Sequence, residues 1–223
     1  MILEIISIFF YRNKKIIFDN FSLKLKKSQL MILIGKNGVG KSSLFDLISG
    51  ILKPEKGVIK INNIPIENLE NTKRKIFLYL PHKDSLKNHL TIQENLSNWL
   101  IVSEHKMCNE LVRKALTYFN ITELRHNYVG NLSQGQRKKV MLSKLLLTSC
   151  KFWLLDEPFN GLDIDSVRKV KSLIKNNLKT GGSVLLSSHT NQSFQKSRKV
   201  HILQAKKSNE GIFPKFDNWE EIL

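Results

Sequence analysis

Gly35-Lys36-Asn37-Gly38-Val39-Gly40-Lys41-Ser42 follows the apolar run Leu30-Met31-Ile32-Leu33-Ile34 and precedes Ser43-Leu44-Phe45-Asp46-Leu47-Ile48, a helix-like segment. Strand, glycine-rich loop and helix in that order are the context in which G-x-x-x-x-G-K-S becomes a phosphate-cradling loop. Glycines let successive backbone N–H groups turn inward around phosphate oxygens, and the start of the helix adds unpaired donors and partial positive charge. Lys41 is expected to hold the β- and γ-phosphate oxygens. Ser42 is expected to place its hydroxyl on Mg²⁺, which prefers hard oxygen ligands. Gly35, Lys36, Asn37, Gly38, Val39, Gly40 and Ser43 complete the expected nucleotide-binding loop.

A second motif supplies the acids. Phe152-Trp153-Leu154-Leu155-Asp156-Glu157 is an apolar strand ending in two carboxylates. Beside a phosphate loop this is a Walker B pattern, in which Asp156 holds Mg²⁺ directly or through water. Glu157 is then placed to polarise a water for in-line attack on the γ-phosphate.

Around these motifs the chain alternates between strand and helix signals. Ile2 to Phe9 and Phe18 to Leu25 read as a strand pair around the turn Arg12-Asn13-Lys14, the second alternating at period two. Val58 to Ile61 is a short strand after the turn Lys53-Pro54-Glu55-Lys56-Gly57, and Ile76 to Leu80 is a buried strand stopped by Pro81. From Leu86 to about Thr148 the pattern is helical. Thr91 and Glu94 form a capping-box pattern opening a helix through Trp99, Leu111, Ala115, Leu116 and Phe119 recur at helical spacing, and a further helix follows Ser133. Strands return at Phe152 to Leu155 and Val184 to Leu186, separated by a helix from about Ser166 to Leu178. Strands alternating with helices predict an α/β fold with a parallel sheet.

The chain has 223 residues, enough for one large α/β domain but not for two separate nucleotide-binding domains. With 41% hydrophobic and 25% charged residues, disorder is not indicated. Cys108 and Cys150 are far apart and form no C-x-x-C, so neither a metal site nor a disulfide framework is expected, and a reducing compartment fits. The net charge of +17 is the compositional outlier. Its clusters, among them Arg12 to Lys15 and Arg168 to Lys171, are scattered, which favours a solvated surface close to anionic lipid over nucleic-acid binding. No apolar run is long enough to span a bilayer. Met1 to Phe10 carries Glu4 and no basic region, and reads as a first strand rather than a signal peptide.

Leu132-Ser133-Gln134-Gly135-Gln136, shortly before the two acids, resembles the L-S-G-G-Q signature of ABC-transporter ATPases, with Gln134 in place of the third-position glycine. Asn160-Gly161-Leu162-Asp163 is similar to their D-loop, and His189 sits where their switch histidine sits. The resemblance implies a P-loop NTPase with an ABC-type ATPase core, a small antiparallel β subdomain and a helical subdomain inserted at about 86–148. A single domain over residues 1–204 would be followed by a tail at 205–223. It further implies ATP as ligand and two cassettes packed head to tail, as a homodimer or a pairing with a second cassette. Ser133, Gly135 and Gln136 of one chain would then close on the ATP of the other. His189 would touch the γ-phosphate from the same chain, with Glu157 and Lys41 as its catalytic partners, and Tyr11 or Phe10 would stack on adenine.

The family usually places a glutamine after the strand equivalent to Ile76–Leu80, whereas this chain has Pro81-His82-Lys83. Histidine is a poor Mg²⁺ ligand and lysine accepts no hydrogen bond, so this loop departs from the pattern, with His82 the candidate equivalent. A histidine here, Leu90-Thr91, Glu94-Asn95-Leu96 and Trp153 to Phe159 resemble the ATP-binding subunits of the cytochrome c biogenesis system, the heme exporter. That resemblance implies a translocase ATPase peripheral to a membrane, partnered by integral membrane subunits and heme-handling proteins. Its face would be the cytoplasmic side of the inner (plasma) membrane or the matrix side of the mitochondrial inner membrane. Another small exporter, or an ATP-gated clamp that hydrolyses poorly, is the alternative. Leu86, Leu90, Ile92 and Leu96 are expected to dock the membrane subunit.

Overall fold

The computed structural model describes residues 2–72, 76–103, 108–188 and 197–202. The apolar run before the phosphate loop forms β3 (Leu30–Ile34), the strand around which the molecule is layered. Leu30 and Ile32 pack into one core and Met31 and Leu33 into another, as the two-residue period of a strand dictates. Both faces are covered, which is why no polar residue interrupts the run.

β3 lies between β8 (Ser183–Ser188) and β9 (Ser197–His201) in a five-stranded sheet ordered β6 (Phe77–Leu80), β7 (Phe152–Leu155), β8, β3, β9. Every pairing is parallel. Parallel strands bring their C-terminal ends to one edge, so the loops leaving β3, β6 and β7 meet there, where α/β sheets bind ligands.

Against the Met31 face pack α1 (Lys41–Ser49) and a four-stranded antiparallel sheet. That sheet runs β2 (Lys15–Leu25), β1 (Leu3–Arg12), β4 (Lys56–Ile61), β5 (Ile64–Pro65). The Leu30 face is covered by α2 (Ile92–Val102), α3 (Asn109–Tyr118), α4 (Gln134–Leu147) and α5 (Ile164–Lys179). Thr91 and Ser133 close capping boxes with Glu94 and Gln136. Asp163 caps α5 by accepting from Ser166 N–H at 2.7 Å, so this helix starts two residues before the expected Ser166.

The structure differs from the sequence expectation at other places too. The β1–β2 hairpin is longer on both sides, because Asn13 (φ 50) and Lys14 (φ 61) turn the chain in two left-handed residues. Strand β9 carries little apolar signal, since Val200 is its one buried residue, and it forms by pairing as an edge strand with β3. The docking surface expected at Leu86, Leu90, Ile92 and Leu96 is corrected: Leu86, Ile92 and Leu96 lie in the core and cannot face a partner, and Leu90 is half-buried. His189 and the tail at 205–223 lie outside the described residues.

Candidate nucleotide-binding and hydrolysis site

Gly38 (φ 80) and Gly40 (φ 108) take the left-handed backbone that lets the loop after β3 curl. A Cβ on Gly40 would also run into Ile17 and Phe18 of β2, so the hairpin presses directly on the loop. Lys41, in the first turn of α1, is buried. Its Nζ donates to the carbonyls of Gly35 at 2.6 Å and Lys36 at 3.1 Å, and lies 3.7 Å from Glu157 Oε1.

Ser42 and the acids after β7 form one hydrogen-bonded chain. Ser42 Oγ donates to Asp156 Oδ2 at 2.6 Å, and Ser187 Oγ, from β8, donates to Asp156 Oδ1 at 2.5 Å. Ser187 Oγ in turn accepts from Glu157 N–H at 2.9 Å. Glu157 adopts φ 51, a conformation unusual for a side chain of this size and often found where a site stores strain. Its Oε2 accepts from Asn160 Nδ2 at 2.5 Å and lies 3.4 Å from His82 Nε2. His82 therefore reaches the expected catalytic acid from the end of β6.

Above the loop is a cavity of about 360 Å³ lined by Asn37, Gly38, Lys41, Glu157 and, from the hairpin, Arg12 and Ile17. Tyr11 is half-exposed and is not among the lining residues. Phe10 is corrected: it is buried in the core and has no face free for an adenine ring. Sequence reasoning missed Arg12, whose Nη1 donates to Ser43 Oγ at 3.5 Å and sits 3.9 Å from Asp46 Oδ2. The signal available was the basic cluster Arg12 to Lys15 at the hairpin turn. It also missed Ser187, which carries no distinctive spacing, and it named Asn160 only as part of the D-loop, without its contact to Glu157.

Ser133, Gly135 and Gln136 open α4, away from the cavity over their own phosphate loop. Ser133 Oγ accepts from Gln136 N–H at 3.2 Å. A Cβ on Gly135 would come within 3.2 Å of the Gly161 carbonyl, so a glycine lets the D-loop lie against the helix start. Gln134 is accommodated as the first helical residue. Two ion pairs tie α4 to neighbouring loops. Arg137 Nε and Nη2 donate to both oxygens of Asp84 at 2.8 and 2.9 Å, and Lys139 Nζ lies 2.7 Å from Asp163 Oδ2. The Arg137 hydrogen bonds hold the Asp84 carboxyl below its usual range, and the Lys139 contact does the same for Asp163.

The ABC transporter family profile matches residues 18–160. The chain belongs to the ABC transporter family. Within it, this cassette is 35% identical to the cytochrome c biogenesis ATP-binding export protein CcmA of Reclinomonas americana, over 83% of this chain and 84% of that protein. It is 32% identical to the protein of the same name from Histophilus somni, over 90% of this chain and 92% of that one. Among solved structures, an ABC transporter ATP-binding protein from Pyrococcus furiosus superposes with a TM-score of 0.77 at 28% identity, covering 91% of the cassette and 98% of that chain. A dimeric ATP-binding cassette in a post-hydrolysis state with ADP and Pi has a TM-score of 0.79 at 21% identity over 90% of this chain and 94% of that one, a likeness of fold alone.

Proposed function

We propose that the chain is the ATP-hydrolysing subunit of an ABC transporter complex in c-type cytochrome biogenesis, driving heme export or the release of a heme chaperone. The observation that carries the ATPase reading is the chain of contacts Ser42–Asp156–Ser187–Glu157 beside the phosphate loop. Similarity to CcmA proteins over most of both chains supports the narrower assignment.

In this reading the loop from Gly35 to Ser43 wraps the phosphates with backbone N–H groups. Lys41 exchanges the carbonyls of Gly35 and Lys36 for β/γ-phosphate oxygens. Glu157 aligns and polarises the attacking water, and Asn160 and His82 hold its carboxylate at the required angle. Ser42 and Asp156 offer hard oxygens side by side, which suits Mg²⁺, an ion that takes few protein ligands and keeps water and phosphate in the rest of its shell. Bound there, Mg²⁺ would neutralise charge on the β- and γ-phosphates. Ser133, Gly135 and Gln136 complete the site of a second cassette, a reading favoured by the lining of their own loop's cavity, which does not include them. His189 contributes from the same chain, and Tyr11 offers its half-exposed ring at the edge of the adenine position.

The partners are integral membrane subunits and heme-handling proteins, and residues 1–204 act as one ATPase domain. Among the described residues no helix is long and apolar enough to cross a membrane. The cassette would attach peripherally to the inner (plasma) membrane on its cytoplasmic face, or to the mitochondrial inner membrane on its matrix face. Deleting the gene in its native host should abolish heme-stained c-type cytochromes while other hemoproteins persist. Normal levels of c-type cytochromes would leave a generic exporter as the better reading.

A further inference from the structure

A second cleft, of about 550 Å³, opens between the loop after β6 and the first turns of α4. Its walls include His82 and Asn160, the two side chains that reach Glu157 Oε2, while Glu157 itself lines the cavity over the phosphate loop. Glu157 thus stands between the two spaces.

The side chains that line this cleft carry a net positive charge. Arg137 is fully committed: besides Asp84 it donates from Nη1 to Asn88 Oδ1 at 2.8 Å and to the Val129 carbonyl at 3.1 Å. Asp84, the one acid in the lining, has both oxygens on Arg137 and also accepts from Leu86 N–H at 3.2 Å. Lys83 and Lys138 remain, and among the described residues neither side-chain ammonium has a hydrogen-bond or ion-pair partner. Lys138 is largely withdrawn from water, and burial pushes its ammonium pKa down against the opposing pull of Asp156, Glu157 and Asp84. A cation held in that state is stabilised by an anion whose oxygens accept hydrogen bonds from it.

We propose that this cleft binds inorganic phosphate as it leaves the hydrolysis site, with Lys138 as its principal contact and Lys83 at the mouth. The inference rests on the ATPase reading above. In hydrolysis the water oxygen bonds to the γ-phosphorus while the bond from that phosphorus to the bridging oxygen breaks; ADP keeps the bridging oxygen, and the proton released by the water ends on the orthophosphate. ADP therefore stays on the phosphate loop and blocks that side. The orthophosphate is left against Glu157, whose Oε2 is covered by His82 and Asn160, the walls of the cleft that holds the two lysines. Repulsion between phosphate and the Asp156 and Glu157 carboxylates drives it outward, and Lys138 gives it a place to go.

The same phosphate chemistry could reach the cleft on ATP held by a second cassette, so the test uses nucleotide-free protein. The full chain carrying Lys41→Ala, which removes the phosphate-loop cation, is titrated with inorganic phosphate at low ionic strength and followed by ³¹P line broadening. Adding Lys138→Gln should weaken binding about tenfold or more, as expected for loss of a charged hydrogen bond. Lys83→Gln, on an exposed loop where folding is not at risk, should weaken it severalfold. Lys175→Gln, on the outer face of α5, should change nothing. Absence of phosphate binding to the Lys41→Ala protein, or binding indifferent to both Lys138→Gln and Lys83→Gln, overturns the proposal. Wild-type ATP turnover is measured alongside. Turnover with no lysine-dependent phosphate binding refutes the cleft alone, whereas a chain that does not hydrolyse ATP takes the outlet role down with the ATPase reading.

Discussion

Ser187 Oγ donates to Asp156 Oδ1 at 2.5 Å and accepts from Glu157 N–H at 2.9 Å, so one buried hydroxyl of β8 fixes both acids that follow β7. It sets the Asp156 carboxylate toward Ser42 and anchors the left-handed backbone of Glu157. Replacement by alanine hardly changes volume but leaves a buried carboxylate oxygen and an N–H without this partner. Ser187→Ala should therefore lower ATP turnover about tenfold to a hundredfold, the usual effect of losing a group that orients a metal ligand. The Mg²⁺ concentration for half-maximal turnover should rise, and nucleotide affinity without Mg²⁺ should stay the same. Unchanged Mg²⁺ dependence would show that the hydroxyl serves packing only.

Lys41 has a different failure mode. Its Nζ now bridges the carbonyls of Gly35 and Lys36 and approaches Glu157. Lys41→Ala should lose ATP binding, measured by equilibrium titration with a fluorescent ATP analogue, and should remain monomeric with Mg-ATP present. Near-normal affinity would mean that the backbone donors hold the phosphates without it.

A third prediction concerns stability. Lys144, on α4, is buried with its Nζ 5.7 Å from the centroid of Trp99, and burial pushes its pKa down to about 8 from 10.5. The unfolded chain binds this proton more tightly, so the charged lysine costs stability below about pH 8 and the cost disappears as pH rises toward 10.5. That displacement corresponds to roughly 3 kcal/mol, of which the ring contact returns part. Lys144→Met should accordingly raise the melting temperature at pH 7, and its advantage should shrink between about pH 8 and pH 10. A variant that is less stable at pH 7 would mean that the contact over Trp99 outweighs the burial cost.

Sequence made the catalytic edge of the sheet readable because that edge is built from local signals. The loop Gly35–Ser42 needs its glycines for backbone reasons, and Asp156-Glu157 ends a run that must be apolar because both faces of the sheet are covered. The capping boxes at Thr91 and Ser133 were legible for the same reason, each being a contact between residues three apart. What stayed hidden depends on contacts between distant residues. Ser187 looks like any polar residue until β8 is laid beside β7. Arg137 and Asp84, 53 positions apart, pair only after α4 docks on the loop after β6. Leu86, Ile92 and Leu96 misled because an apolar stripe reads the same whether it faces a partner or the chain's own core, and here the helices over β6 and β7 claim it.

In the proposed reading Glu157 activates water for ATP hydrolysis while Lys41, Ser42 and Asp156 bind the nucleotide. Glu157→Gln tests it most directly, since the side chain keeps its size and its contact with Asn160 but loses its charge. Turnover should fall on the order of 10²–10⁴-fold, the range for a positioned acid or base. ATP binding should survive, and with Mg-ATP the protein should elute as a dimer by size-exclusion chromatography with light scattering. A Glu157→Gln protein that binds Mg-ATP and hydrolyses it at the wild-type rate would contradict the account.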